Sequence, residues 1–243
     1  MRIYLNPLEM VKEVERDLFE MGVRYQTSTV QDQFVENDPK FQTLELYGYA
    51  YKLKNVGTIT TDSFLDAIRY QRGEDKDYEG WMFAESKERL NPPEGIPHNP
   101  GSAWTLREDF WGGFIRAGIF SYSYTERWQA QLPYVVRELQ ARPNTRQAIM
   151  TMYDRHEDLT NWGGFDRVPC SVSYQFIQRE GKLSVIYNQR SCDFQKFFMA
   201  DVYFTCQLLE EVAWRVGCQV GDFIHFLGSL HAFAGDLEGR EIF

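Results

Sequence analysis

Cys170 is followed within about 30 residues by Arg190, Ser191, Asp193 and Asp201, and further on by His231. A cysteine attacks carbon only as its thiolate, and a neighbouring guanidinium lowers the thiol's pKa. The same guanidinium forks onto carboxylates and phosphates. The run therefore describes a nucleophile beside an anion site. A lone cysteine before a strand is ordinarily a small buried hydrophobe. Here Arg190-Ser191-x-Asp193 is what gives the thiol a second reading.

These residues need elements to hold them. Ser171, Ser173 and Gln175 alternate with Val172, Tyr174 and Phe176, the period of a half-buried strand. Glu180-Gly181 signals a turn, and Leu183 to Tyr187 reads as the partner strand. Cys170, at the start of one strand, and Arg190, just past the end of the other, then share one end of a hairpin. Asp201 stands at a helix start, followed by Val202, Cys206, Leu209, Ala213 and Val216 at helical spacing. It suits both a capping acid and an acid facing a ligand.

The rest of the chain bounds the class. At 243 residues it reads as one domain, 1–243, with a possible loop insertion around 85–103, where Asn91-Pro92-Pro93 to Pro100-Gly101 is the clearest loop. A formal net charge of −9 argues against general nucleic-acid binding. The four cysteines form no C-x-x-C pair and accompany only four histidines, so neither a metal site nor a disulfide framework is expected. The N-terminus lacks a signal-peptide apolar region and no stretch is long enough to span a bilayer, so a cytoplasmic protein, bacterial or in a phage-infected host, is expected. Apolar spacing predicts a helix over 7–21, a loop over 27–40, a strand over 43–53 and a short helix over 64–72. It also predicts a helix over 124–141, kinked or broken at Pro133, and a strand over 222–227.

Pro169-Cys170, Gln189-Arg190-Ser191-x-Asp193, Gly221-Asp222-Phe223-x-His225 and Gly228-x-x-His231 together resemble the thymidylate synthase superfamily, in order and spacing, most densely over 143–233. The resemblance implies an α/β fold with a large, twisted, mixed sheet flanked by helices, and a homodimer paired through the sheet face. It implies that the Cys170 thiolate adds to C6 of a pyrimidine nucleoside monophosphate. C5 then takes a one-carbon unit from 5,10-methylenetetrahydrofolate, and water or hydride decides between a hydroxymethyl and a methyl product. Gln189, Arg190 and Ser191 would bind the nucleotide, His231 the sugar, and Asp193 the folate. Trp104 or Trp111 would wall the folate. Asp66, with Glu79 as second choice, would organise protons, with Tyr122 as a relay. Arg146 would reach the partner subunit's phosphate.

One position selects the branch. Eleven residues after Arg190, where thymidylate synthases carry an asparagine, this chain has Asp201, as phage-type deoxycytidylate hydroxymethylases do. A carboxylate accepts from the cytosine amino group, whereas uracil O4 needs a donor. The expectation is 5-hydroxymethylation of dCMP or CMP. Methylation of dUMP or dCMP is the alternative within enzymes, and a catalytically degenerate nucleotide-binding dimer the alternative outside them. Departures from the pattern are Gln147 for a second arginine, Phe233 for a sugar-binding tyrosine, Asn37 and Asp38 where an arginine is usual, and a chain that stops ten residues after Phe233. The last implies a folate pocket less completely closed, and so open to water.

Overall fold

A computed structural model of the chain describes residues 1–27, 29–30, 33–34, 38–161 and 167–237; Asn37 lies outside the described residues. The elements run β1 (Arg2–Tyr4), α1 (Pro7–Met21), β2 (Val23–Gln26), β3 (Thr29–Val30), β4 (Gln33–Phe34), β5 (Gln42–Leu53), α2 (Thr61–Arg72) and α3 (Lys76–Leu90). Then follow α4 (Glu108–Trp111), α5 (Tyr124–Ala141), β6 (Ile149–Thr151), β7 (Ser171–Arg179), β8 (Lys182–Asp193), α6 (Phe198–Val216), β9 (Gln219–Phe233) and α7 (Ala234–Leu237). Seven strands form one sheet in the order β1-β5-β9-β8-β7-β6, with β2 also paired to β5, while β3 and β4 pair with each other. The β8–β9 and β1–β5 pairs are parallel and the others antiparallel. The architecture is the mixed α/β one that the sequence implies.

The β7–β8 hairpin forms where its alternation demands. Glu180 (φ 52°) and Gly181 (φ 75°) are both left-handed, the geometry whose twist suits a two-residue hairpin. Leu183, Val185, Tyr187 and Gln189 turn inward from β8, and Phe223, His225, Leu227 and Leu230 from β9. Helix α6 covers that face. It is apolar on nearly every side, with Phe198, Met199, Val202, Cys206, Leu209 and Val212 among its buried residues. Parallel β8 and β9 also approach closely at Gly228, where a Cβ would stand 2.8 Å from the Arg190 carbonyl oxygen.

Three elements differ from the sequence reading. Residues 27–40 contain the short strands β3 and β4 rather than loop throughout. Helix α5 passes through Pro133 without ending, the proline lying on its exposed face. Helix α3 runs to Leu90, so 85–90 is helical rather than loop; its buried side includes Ser86, Glu88 and Arg89, which hides the apolar period. The two charged groups are satisfied: Glu88 accepts from the Ser102 and Ala103 amides at 2.6 and 2.9 Å, and Arg89 bonds Glu85 at 2.8 Å. Among the described residues no helix is long and apolar enough to cross a membrane.

Candidate active site

Cys170 sits immediately before β7, where a register shift between Ser171 and Ser173 marks an irregularity in the pairing with β8. Its carbonyl accepts from the Arg190 amide at 2.8 Å. The Cys170 and Ser171 amides both donate to the Tyr124 hydroxyl, at 3.1 and 3.2 Å. Arg190 folds back over the segment before the thiol. Its Nε donates to the Pro169 carbonyl and its Nη2 to the Val168 carbonyl, each at 2.8 Å, and Nη2 stands 3.9 Å from Cys170 Sγ. The guanidinium is exposed, and its Nη1 makes no hydrogen bond within the described residues. The arginine thus both shapes the loop that carries Cys170 and keeps donors for an anion.

Burial pushes the Cys170 thiol above its ordinary pKa. Arg190 and Arg167 pull it down, and Asp201 and Asp193 push it further up. The expectation from sequence therefore holds for the sign of the Arg190 effect and not for the net position of the thiol. Arg167 carries no sequence signal, yet its Nη2 donates to the Tyr122 hydroxyl at 3.1 Å and its guanidinium lies over the Trp111 and Tyr122 rings, 4.6 and 5.1 Å from their centroids.

A second group of side chains forms one directed chain behind the thiol. Gln189, buried on β8, donates from Nε2 to Asp201 Oδ2 at 2.7 Å. Its Oε1 lies 3.0 Å from His225 Nε2, and His225 Nδ1 lies 2.9 Å from the Tyr51 hydroxyl. Burial lowers His225 to about 3, so the ring is neutral. An amide oxygen can only accept; His225 must carry its proton on Nε2, and Nδ1 must accept from Tyr51. The Asp201 carboxylate, as acceptor, thus sets the orientation of the Gln189 amide and through it the His225 tautomer. Asp201 occupies the first turn of α6, and burial raises it to about 6 despite hydrogen bonding from Gln189. One of its oxygens is committed to Gln189, with the Cys192 thiol 3.9 Å from the same atom.

At the carboxyl ends of β8 and β9 the parallel register sets Ser191 opposite Ser229 and Asp193 opposite His231. Asp193 accepts from the Lys196 amide at 3.0 Å and pairs with its Nζ at 3.5 Å; burial raises its pKa and Lys196 and His231 oppose the rise. His231 Nδ1 lies 3.3 Å from Ser229 Oγ, and burial lowers its pKa while Asp193 raises it. Open crevices past the carboxyl ends of parallel strands are common ligand sites.

Cys170, Gln189, Arg190, Ser191, Asp193, Asp201 and His231 therefore come from adjoining ends of three neighbouring strands and the start of α6. Tyr122 is buried and bonded to Arg167, one step further from the thiol strand than Tyr124. Asp66 is exposed on α2, whose buried face is Phe64, Ala67, Ile68 and Gln71, and Glu79 is bidentate with Arg69. Trp104 packs edge-on against Phe120, whereas Trp111 stands under Arg167 and against Phe197. Arg146 is exposed ahead of β6, its carbonyl held by Gln175 at 3.0 Å. No group of three His, Cys, Asp or Glu among the described residues could hold a metal ion.

A family model described as thymidylate synthase matches residues 93–241. A thymidylate synthase from Oenococcus oeni is 32% identical over 104 residues, 42% of this chain and 31% of that protein. A putative thymidylate synthase from Methanosarcina barkeri is 32% identical over 123 residues, 48% of this chain and 55% of that one. These matches span about a third to about half of the relatives' own length. Among solved structures, the thymidylate synthase from T4 phage superposes with a TM-score of 0.64 at 19% identity, covering 96% of this chain and 81% of that one, a likeness of fold.

Proposed function

This chain belongs to the thymidylate synthase family, and we propose that within it the protein transfers a one-carbon unit to C5 of a cytidine monophosphate, dCMP or CMP, to give the 5-hydroxymethyl product. The observation that carries the base assignment is Asp201 with one carboxyl oxygen tied to Gln189. Its second oxygen then accepts from the cytosine 4-amino group. With its pKa near 6 the same carboxyl exchanges a proton at neutral pH and serves ring N3. Cys170 is the nucleophile for C6. Arg190 lowers its pKa and offers Nη1 to the phosphate. Tyr124, bonded to two amides at the thiol, positions the Cys170 backbone, and His231 faces the sugar.

The residues present fit a reduced folate. Asp193 offers a half-buried carboxylate to a ring N–H, and Trp111, under the Arg167 guanidinium, carries a buried indole N–H that has no partner among the described residues. Methylenetetrahydrofolate supplies the carbon at the oxidation level of formaldehyde when bound. A dimer paired through the sheet face, with Arg146 serving the partner's phosphate, completes the proposal.

A second reading, methylation of a uracil nucleotide, is favoured by the names of the two curated relatives. Substituting Cys170→Ser tests the shared chemistry. It should abolish exchange of the C5 hydrogen while leaving nucleotide binding in place, and retained exchange would move the protein out of nucleophilic catalysis altogether.

A further inference from the structure

Arg89 is a buried cation outside the groups that meet the nucleotide. It lies on the inner side of α3 and is 5% exposed. Its side chain makes one hydrogen bond among the described residues, from Nε to Glu85 Oε1 at 2.8 Å. The guanidinium otherwise meets rings, its central carbon 4.3, 4.6 and 5.6 Å from the centroids of Phe204, Tyr124 and Trp128. Burial works against its charge, and Glu85, Tyr174 and Tyr124 more than offset that, so the side chain stays ionised. On stability alone, an apolar side chain of similar volume serves a buried ion-pair position as well or better. The charge and the flat face therefore need another reason.

The three rings connect Arg89 to both halves of the site. Tyr124 and Trp128 stand one turn apart on α5, and the Tyr124 hydroxyl accepts from the Cys170 and Ser171 amides at 3.1 and 3.2 Å. A cation over an aromatic face is attracted by the ring's quadrupole. Tyr124 is thus held at its ring by Arg89 and at its oxygen by the thiol strand. Phe204 stands one turn after Asp201 on α6, a spacing that shares a helix face. The backbone of α3 is tied to the same assembly, because Gln129 of α5 donates to the Arg89 and Leu90 carbonyls at 2.6 and 3.0 Å. Burial raises the Asp201 pKa, and the Gln189 hydrogen bond and the Arg89 charge both oppose the rise.

We propose that Arg89 is a positioning residue: packed between Tyr124 and the first turns of α6, it sets the separation of the Cys170 thiol from the Asp201 carboxyl. This rests on the function proposed above, in which those two groups meet C6 and the amino edge of one pyrimidine. Arg89 itself touches no substrate. Its effect passes through Tyr124 to the thiol strand and through Phe204 to the helix that carries Asp201. Reacting groups misplaced by about 1 Å lose on the order of 100-fold in rate.

The test is a double-mutant cycle on the full chain with Arg89→Met, which fills the volume without charge or plane, Tyr124→Phe, and the two together. Two quantities are read. One is kcat and KM for tritium release from whichever of C5-labelled dCMP, CMP and dUMP turns over fastest with methylenetetrahydrofolate; the other is the rate of iodoacetamide labelling of Cys170. Arg89→Met should lower kcat about ten- to 100-fold with KM held within about threefold, and should change the labelling rate by more than about threefold. The loss in the double variant should fall short of the product of the two single losses, whereas independent structural losses multiply. Arg89→Lys keeps the charge and loses the plane, so it should fall between the wild type and Arg89→Met; it carries the test should Arg89→Met fail to fold. Values of kcat and labelling within about threefold of wild type in both Arg89 variants, a rise in KM alone, or losses that multiply in the double variant would overturn the proposal. Labelling needs no turnover. A wild type that releases no tritium from any of the three nucleotides therefore counts against the proposed function, while the labelling cycle still decides the role of Arg89.

Discussion

Replacing Asp201 with asparagine should exchange the preferred base, and the hydrogen-bond chain behind it says why. Gln189 presents Nε2 to residue 201, with its Oε1 3.0 Å from His225 Nε2. Where Gln189 keeps that orientation in Asp201→Asn, the new side chain turns its oxygen toward Gln189 and its amide N–H toward the base. A donor then faces cytosine's amino group, which is a mispairing, and faces uracil O4, which is a match. A buried donor or acceptor left without its partner costs roughly 1–3 kcal/mol. The substitution creates one mispairing and relieves another, so the ratio of kcat/KM for dCMP over dUMP should fall by about 2–6 kcal/mol, or roughly 30-fold to 10⁴-fold. The assay is release of tritium from C5-labelled dCMP and dUMP by both proteins. A ratio unchanged within about threefold would refute the placement of Asp201 against the base.

Three further outcomes follow from the same geometry. The folded pKa of Asp201, about 6 against an ordinary 3.8, means that stability falls as pH rises between those values, whereas His225, about 3 against 6.5, loses stability as pH falls through its window. Urea unfolding from pH 4 to 8 should therefore show Asp201→Asn relatively more stable at pH 7 than at pH 4, and a constant difference would contradict the buried carboxyl. Arg190→Gln should slow iodoacetamide labelling of Cys170 at pH 8, with Arg190→Lys recovering most of the rate, as read by mass spectrometry of the Cys170 peptide; equal rates in all three would remove the guanidinium's influence on the thiol. Gly228→Ala places a methyl against the Arg190 carbonyl and should destabilise by about 1–3 kcal/mol in the same unfolding experiment, against no change if β8 and β9 part freely.

What sequence shows here is what repeats with a period or clusters along the chain. The β7–β8 hairpin alternates over most of its length and turns at Glu180-Gly181, so Cys170 and Arg190 fall at one end of it by counting alone. Asp201 is legible for the same reason, as an acid at the head of an apolar helical run. His225 is not, because a histidine inside an apolar strand looks like any core residue. Its meaning comes only from the parallel pairing that brings β9 beside β8 and sets its ring against Gln189. Tyr122 and Tyr124 flank the α5 cap Ser123, and no local pattern tells which hydroxyl reaches the thiol strand. The resemblance points to Asp66 but does not determine its face, and the helix turns it outward. Helix α3 stays hidden because its buried side carries Glu88 and Arg89, whose partners lie in the following loop and within the helix.

The measurement that bears most directly on the central claim is tritium release from C5-labelled dCMP, CMP and dUMP in the presence of methylenetetrahydrofolate, with the nucleotide product identified by mass. The account predicts release from a cytosine nucleotide with the mass gain of a hydroxymethyl group, and loss of that release in Cys170→Ser. Release from dUMP alone, with a methyl gain, would contradict the base assignment at Asp201 while leaving the family chemistry in place.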